Sequence, residues 1–365
     1  MTQTEKLAHL VPNFDKKFVK QQHPLTAVLI VPTGVGASIG GYAGDALPVA
    51  RAMAEICDRL ITHPNVLNGA QLYWSSPHLF YVEGYGLDQF AQGHWGLQPV
   101  HQNRVGLILD SGIEPDLQLR HIQAAEATKA TLGLPVTDYI LTDAPLGVEL
   151  RTAPSGASWG TLARPDSLLR AAEQLIHQSR VNAIAVVARF PDDLESTALQ
   201  NYRHGSGVDP LAGAEAVISH LIVRQFKIPC AHAPALSPLP LDPQLSPRAA
   251  AEELGYTFLP CVLVGLARAP QFVTAGQNRT PEQIWADHVD AIVVPANACG
   301  GGATLALSHT LVIAVGANET RMQVPPEPLG IKAIRVNSYL EALGVLACYR
   351  AGIAPTALST INDKL

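Results

Sequence analysis

The sequence predicts an α/β fold of mostly parallel, open sheets with helices on both faces, Rossmann-like in plan, and three observations carry that reading. Eight short runs (26–31, 59–62, 105–109, 139–141, 183–188, 227–230, 291–294 and 311–315) are continuously apolar rather than alternating, as strands covered on both faces are. Helical patterns alternate with them at 44–58, 117–132, 165–178, 210–224, 247–254, 281–289 and 338–351, the order expected of a parallel sheet. Glycine and proline punctuate the joints, with 29 of the first and 28 of the second in 365 residues.

Taken in order, the first strand runs into a glycine-rich loop, 33–45, that opens a helix. The stretch 71–103 is rich in aromatic residues without a helical period and reads as a β-hairpin cover or an oligomer surface. Pro165, Pro210, Pro247 and Pro281 stand where a first helical turn accepts proline, and Asp209, Ser246 and Thr280 precede three of them with oxygens able to cap. Residues 233–247 are proline-rich and read as an extended linker or lid. Between Asp290 and Glu319 no residue carries a formal charge, a length that would span a bilayer. Pro295, Asn297 and the triplet Gly300-Gly301-Gly302 would leave backbone groups unpaired in lipid, so two buried strands around a loop and short helix are expected instead. Length alone gives two to three domains. The working division is an N-terminal α/β domain, 1–150, carrying the insert 71–103, and a C-terminal α/β domain, 151–365. Loop–helix–strand units at 213–234 and 302–319 echo one another, as two related halves would.

Charged residues are 15% of the chain, hydrophobic ones 47%, and the formal net charge is −6. Disorder is excluded by that composition, and a general nucleic-acid binder is not expected without clustered cations. No apolar leader core is visible at the start, and five dispersed cysteines suit reduced thiols, so a cytoplasmic protein with no membrane partner is expected. The scarcity of surface charge favours a homo-oligomer.

In open parallel sheets, ligands bind beyond the carboxyl ends of the strands. The residues following the predicted strands therefore define the candidates. In the first loop Gly34, Gly36, Gly40, Gly41 and Asp45 would cradle a phosphate or carboxylate on backbone N–H groups. The loop lacks the lysine of a Walker motif, and its third glycine, Gly40, falls one residue beyond the dinucleotide fingerprint. Asp110 and Asp143 end neighbouring strands and suit a general acid and base. His63 and His232 suit proton transfer near neutral pH. Cys299 precedes a short helix, where a thiol would be expected to have a depressed pKa. Residues 203–209 form a second glycine-rich, basic loop able to contact an anion. No metal signature stands out. Glu215 and His220 lie about 140° apart around a helix and so do not share a face. No cofactor is assigned.

The stretches VPTGVGASIGGYAGDALPVARAM from Val31, LITHPNVLNGAQLYW from Leu60, GVDPLAGAEAVISHLI from Gly207 and PCAHAPAL from Pro229 resemble an uncharacterised bacterial domain-of-unknown-function family common in cyanobacteria. That resemblance spans most of the chain and implies no activity. A more local similarity, at 109–113 and 291–299, is to aspartate/glutamate racemases, which use two cysteines; here Cys299 has no counterpart beside Asp110. The leading expectation is a soluble enzyme acting on a small anionic metabolite by isomerase, lyase or transferase chemistry. The alternatives are an NAD(P)-dependent oxidoreductase, and a non-catalytic sensor or assembly factor using 71–103 as its interface.

Overall fold

The computed structural model describes residues 23–358, apart from 43, 68–71, 194, 257–258, 275 and 277–278. Its larger sheet joins the two ends of the chain. Strands β1 (Thr26–Leu29), β2 (Arg59–Thr62) and β3 (Leu79–Tyr81) lie beside β12 (Ala291–Pro295), β13 (Leu311–Val315) and β14 (Ala333–Val336). Every pairing is parallel, in the order β14-β13-β12-β1-β2-β3. Counted by the sheet's own strands this is 3-2-1-4-5-6, the order of a doubly wound dinucleotide fold, with its reversal between β1 and β12. The apolar runs explain it: β1, β12 and β13 are buried along their whole length.

Between β3 and β12 the chain builds a second parallel sheet from β5 (Val105–Leu109), β6 (Val136–Leu141), β9 (Ala183–Arg189) and β10 (Cys230–Ala235), ordered β10-β9-β5-β6. The sheets therefore interleave in sequence and do not divide at residue 150: the smaller one takes strands from both sides of it, and the larger one closes over it from both termini. Two antiparallel pairs complete the strands among the described residues, β4 (Trp95–Gln98) with β11 (Gln271–Thr274) and β7 (Val148–Thr152) with β8 (Ser158–Leu162). A single apolar core runs through both parallel sheets, from Leu29, Leu60 and Val293 to Leu107, Ala185 and Ala233.

Among the described residues eleven helices surround the sheets: α1 (Leu47–Ala54), α2 (Pro64–Leu67), α3 (Gly84–Ala91), α4 (Pro115–Leu132), α5 (Pro165–Ser179), α6 (Thr197–Arg203), α7 (Ala212–Phe226), α8 (Pro247–Ala251), α9 (Leu259–Ala267), α10 (Gly302–Ala306) and α11 (Tyr339–Ala351). Proline opens α5 and α8 as expected. Helix α7 starts at Ala212 rather than Pro210, and Asp209 braces the entry by accepting from Leu211 N–H at 2.8 Å.

Four local expectations are corrected. The helix at 281–289 shrinks to one 3₁₀ turn, Ala286–His288, because Ile284 exchanges two 2.8 Å backbone hydrogen bonds with Leu97 and is drawn into strand pairing. The strand expected at 227–230 starts at Cys230, since Lys227 is the left-handed cap of α7 and the chain must turn first. Ser246 makes no side-chain cap to α8. The insert is no hairpin: Gln71 lies outside the described residues, and the rest supplies β3 to the large sheet, then α3, then β4 against β11. Its Phe90, Trp95 and Tyr81 are core, while Tyr73 and Trp74 are exposed.

Candidate functional site

Among the described residues seven ionisable side chains line a cleft of about 60 Å³ between the two sheets. One wall comes from the carboxyl ends of the large sheet: Thr33 after β1, His63 and Asn65 after β2, and Glu83 after β3. The other wall comes from the inserted sheet and its helices: Asp209, Glu215, Ser219 and His220 on or before α7, His232 on β10, and Glu252 after α8.

Each side chain is held by local geometry. Continuous burial of β2 delivers His63 into the interior, where its Nε2 accepts from Val31 N–H at 3.0 Å. That bond assigns the ring proton to Nδ1. Burial disfavours the charged ring and pushes its pKa down to about 4. Glu83 is the cap of α3, accepting from Tyr85 and Gly86 N–H at 2.8 and 3.2 Å, and its second oxygen forms an ion pair with His220. Burial alone would lower His220, but the Glu83 contact and the nearby Asp88 carboxylate outweigh it and raise the pKa. Gly84 permits that approach, since a Cβ there would lie 3.0 Å from the His220 ring.

His232, almost fully buried, shares a 3.1 Å hydrogen bond with Ser219 through Nδ1 and turns Nε2 toward a Glu215 oxygen 3.7 Å away. Asp209 faces Glu252 and Glu215. Burial first, and those two carboxylates second, lift its carboxyl well above the usual range, against the backbone donors of Leu211 and Ala212. No Lys or Arg among the described residues lines the cleft. Among the described residues, no three His, Cys, Asp or Glu side chains are grouped to hold a metal ion.

Of the residues expected from the sequence, His63 and His232 meet here and the others do not. The glycine-rich loop folds over the reversal point of the large sheet and spends three consecutive N–H groups internally. Ser38 donates to Glu319 O, Ile39 to Asn318 Oδ1 at 2.8 Å, and Gly40 to Asp45 Oδ1 at 2.5 Å. Gly34, at φ +70°, sits where a Cβ would fall 2.6 Å from Ser158 Oγ, and Gly36 and Gly41 are likewise crowded by Val208 and by the Ala37 carbonyl. Asp45 turns inward to an ion pair with Arg248. Asp110 is buried and accepts from the N–H groups of Gly112, Leu146 and Arg189 at 2.9–3.0 Å. Asp143 is at the surface, bound to Arg170 and Ser167. The two aspartates have separate partners rather than each other. Cys299 is fully buried, and burial pushes its thiol up to about 11, the reverse of the expected depression.

The residues missed from the sequence are Glu83, Asp209, Glu215, Ser219, His220 and Glu252. Glu215 and His220, although about 140° apart by the helical period, both line the cleft. Only the Asp209 cap was visible beforehand.

A family model described as "Protein of unknown function (DUF3326)" matches residues 26–359. An "uncharacterized lipoprotein" of Synechococcus sp. is 60% identical over 343 residues, covering 93% of this chain and 95% of the relative. That name overturns the cytoplasmic location expected from the leader and the cysteines. Among the described residues no single helix is long and apolar enough to cross a membrane. No solved structure matches the chain.

Proposed function

The chain belongs to the DUF3326 family, and because that family's description carries no activity we propose a function from the cleft alone: general acid–base catalysis on a small molecule, with Asp209 as the acid and His232, backed by Glu215, as the base. One observation carries the reading. A single small cavity holds a carboxyl driven toward its protonated form beside an imidazole with its own carboxylate partner. Titratable neighbours whose environments push their protonation apart are how one site runs acid and base steps together. His63, kept neutral, would orient the substrate by donating from Nδ1. His220, biased toward its charged form by the Glu83 contact, would stabilise developing negative charge. Proton transfer of this kind belongs to isomerases and lyases.

The lining also bears on the substrate. Four acidic side chains face the cleft and, among the described residues, no Lys or Arg does, so a hydroxyl- or amine-bearing molecule is better served than the anionic metabolite expected from the glycine-rich loop. Nicotinamide binding draws no support, because the loop that would take a pyrophosphate has its N–H groups at 38, 39 and 40 engaged. The test is a thermal-shift panel of small polyols, amines, carboxylates and phosphates against the wild type, Asp209→Asn and His232→Asn. Saturable stabilisation by a polyol or amine, lost in both variants, is expected. Stabilisation only by phosphates or carboxylates, unchanged in both variants, would overturn the assignment.

A further inference from the structure

Residues 236–252 form a flap that leaves β10, runs over the surface and brings Glu252 to the cleft. Its hold on the rest of the molecule is mostly polar. The apolar part of the seam is Tyr42, Tyr202 and Ala249 with Leu245 against them, and Leu241 is wholly exposed. The polar part is a chain of contacts. Arg248 Nε donates to Asp45 at 2.8 Å, and its guanidinium lies 4.2 Å over the Tyr42 ring. Tyr42 stacks on Tyr202 at 4.1 Å and donates its hydroxyl to the Tyr202 carbonyl at 2.6 Å. The Tyr202 hydroxyl then donates to Glu252. On the other edge Arg203 on α6 binds Glu253 at 2.8 Å and the Pro240 carbonyl at 2.9 Å, its own carbonyl accepts from Ser246 N–H at 2.9 Å, His204 meets Asp242 at 3.0 Å, and Ser237 donates its N–H and hydroxyl to Asp192 at 3.0 and 2.6 Å.

We propose that Arg248 and Tyr42 are positioning residues for the acid: their clasp on the glycine-rich loop seats Glu252 beside Asp209 and so couples closure of the flap to protonation of that carboxyl. The inference rests on the acid–base reading of the cleft and adds its regulation. A seam with few buried apolar contacts opens at low cost compared with global unfolding. Opening withdraws one carboxylate from Asp209 and admits water, and both changes favour the ionised form. The groups facing Asp209 are accounted for from every side: Glu215 on α7, Glu252 on the flap, the hydroxyls of Tyr42 and Tyr202, and the cleft walls bearing His63, Glu83, His220 and His232. With the flap shut the acid holds its proton and the cleft is covered; with it open substrate enters and the proton is released. The glycine-rich loop and Asp45 thus serve as the latch plate rather than as a cradle.

The experiment is a ¹³C titration of aspartate carboxyls in the full chain, with Asp209→Asn identifying the resonance. In the wild type the Asp209 midpoint should lie well above the ordinary carboxylate value. Arg248→Ala should lower it by about one pH unit or more, Glu252→Gln should do the same without touching the clasp, and Arg248→Lys should restore part of the shift. Arg248→Ala should also speed proteolytic nicking within 236–246. A raised wild-type midpoint that neither variant moves would overturn the clasp and leave the acid reading intact. An ordinary wild-type midpoint would overturn the acid reading itself. Should Arg248→Ala fail to fold, Glu252→Gln decides alone.

Discussion

At the ends of β5 and β9, where the strand order of the smaller sheet reverses, Asp110 and Arg189 stand in the crevice that usually receives a ligand. Both are consumed by the protein itself. Asp110 takes three backbone N–H groups, and Arg189 is divided among Glu114, Asp192 and the Phe190 and Ala235 carbonyls. At the ends of β2, β3 and β10 the residue types are similar but the outcome differs. Carboxylates outnumber donors there, His63 is held neutral, and Asp209 is crowded by like charges around an open volume. The difference teaches that an ionisable residue after a strand is not yet a site. What matters is whether its hydrogen-bonding capacity is spent inside the fold or left facing a space.

The strongest way to break that comparison is to delete a carboxylate at each end. Asp110→Ala strands three donors around a buried carboxyl, one of them fully buried, and losses of this kind cost about 3 kcal/mol together. Asp209→Asn retains an oxygen for the α7 cap and relieves repulsion from Glu215 and Glu252, so its stability should stay within about 0.5 kcal/mol of wild type or rise. Urea unfolding of both variants measures the contrast. Equal losses would mean that the cleft is ordinary structure.

How much of this was legible follows the same physics. Continuous apolar runs announce β1, β5, β12 and β13, because a strand buried on both faces must be apolar at every position. His63 was readable because it directly follows such a run, and His232 because it lies in the Cys230–Ala235 segment that the expected strand leads into. Glu83 was hidden because the three-residue β3 gives too short a pattern and lies among aromatics that suggested a cover. Asp209, Glu215 and Glu252 come from a loop, a helix face and a flap. They meet His63 only because the inserted sheet packs against the large one, a long-range event that no local period encodes. Cys299 shows the converse, since its placement before α10 suggested reactivity while its burial removes it.

A finer test turns on pH. His63 keeps its neutral form in the fold until about pH 4, whereas an unfolded chain protonates it near 6.5. Between those values the unfolded state binds the extra proton, so wild-type stability falls as pH drops through that window. The full difference corresponds to about 3 kcal/mol. His63→Gln keeps an acceptor for Val31 N–H and removes the titration. Its stability relative to wild type should therefore improve steadily from pH 6.5 to pH 4, as read by denaturation at each pH. A constant offset across the window would show that His63 is not held neutral.

The smallest effect is expected at Asp143, and it sharpens the contrast from the surface. This residue follows β6 as Asp110 follows β5, yet it is half exposed, with Arg170 and Ser167 as its partners. Hydrogen bonds from Arg170 and Ser167 hold its carboxyl down at about 2, so any stabilisation it contributes is present above the ordinary carboxylate value and disappears only as pH falls toward 2. Solvent screens such a pair, and exposed ion pairs of this kind contribute little. Asp143→Asn should leave the thermal midpoint at neutral pH unchanged, and the Asp209 and histidine titrations in the cleft should superimpose on those of wild type. A shift in any of those titrations would tie Asp143 to the cleft and make capacity spent at the surface as informative as capacity left open inside.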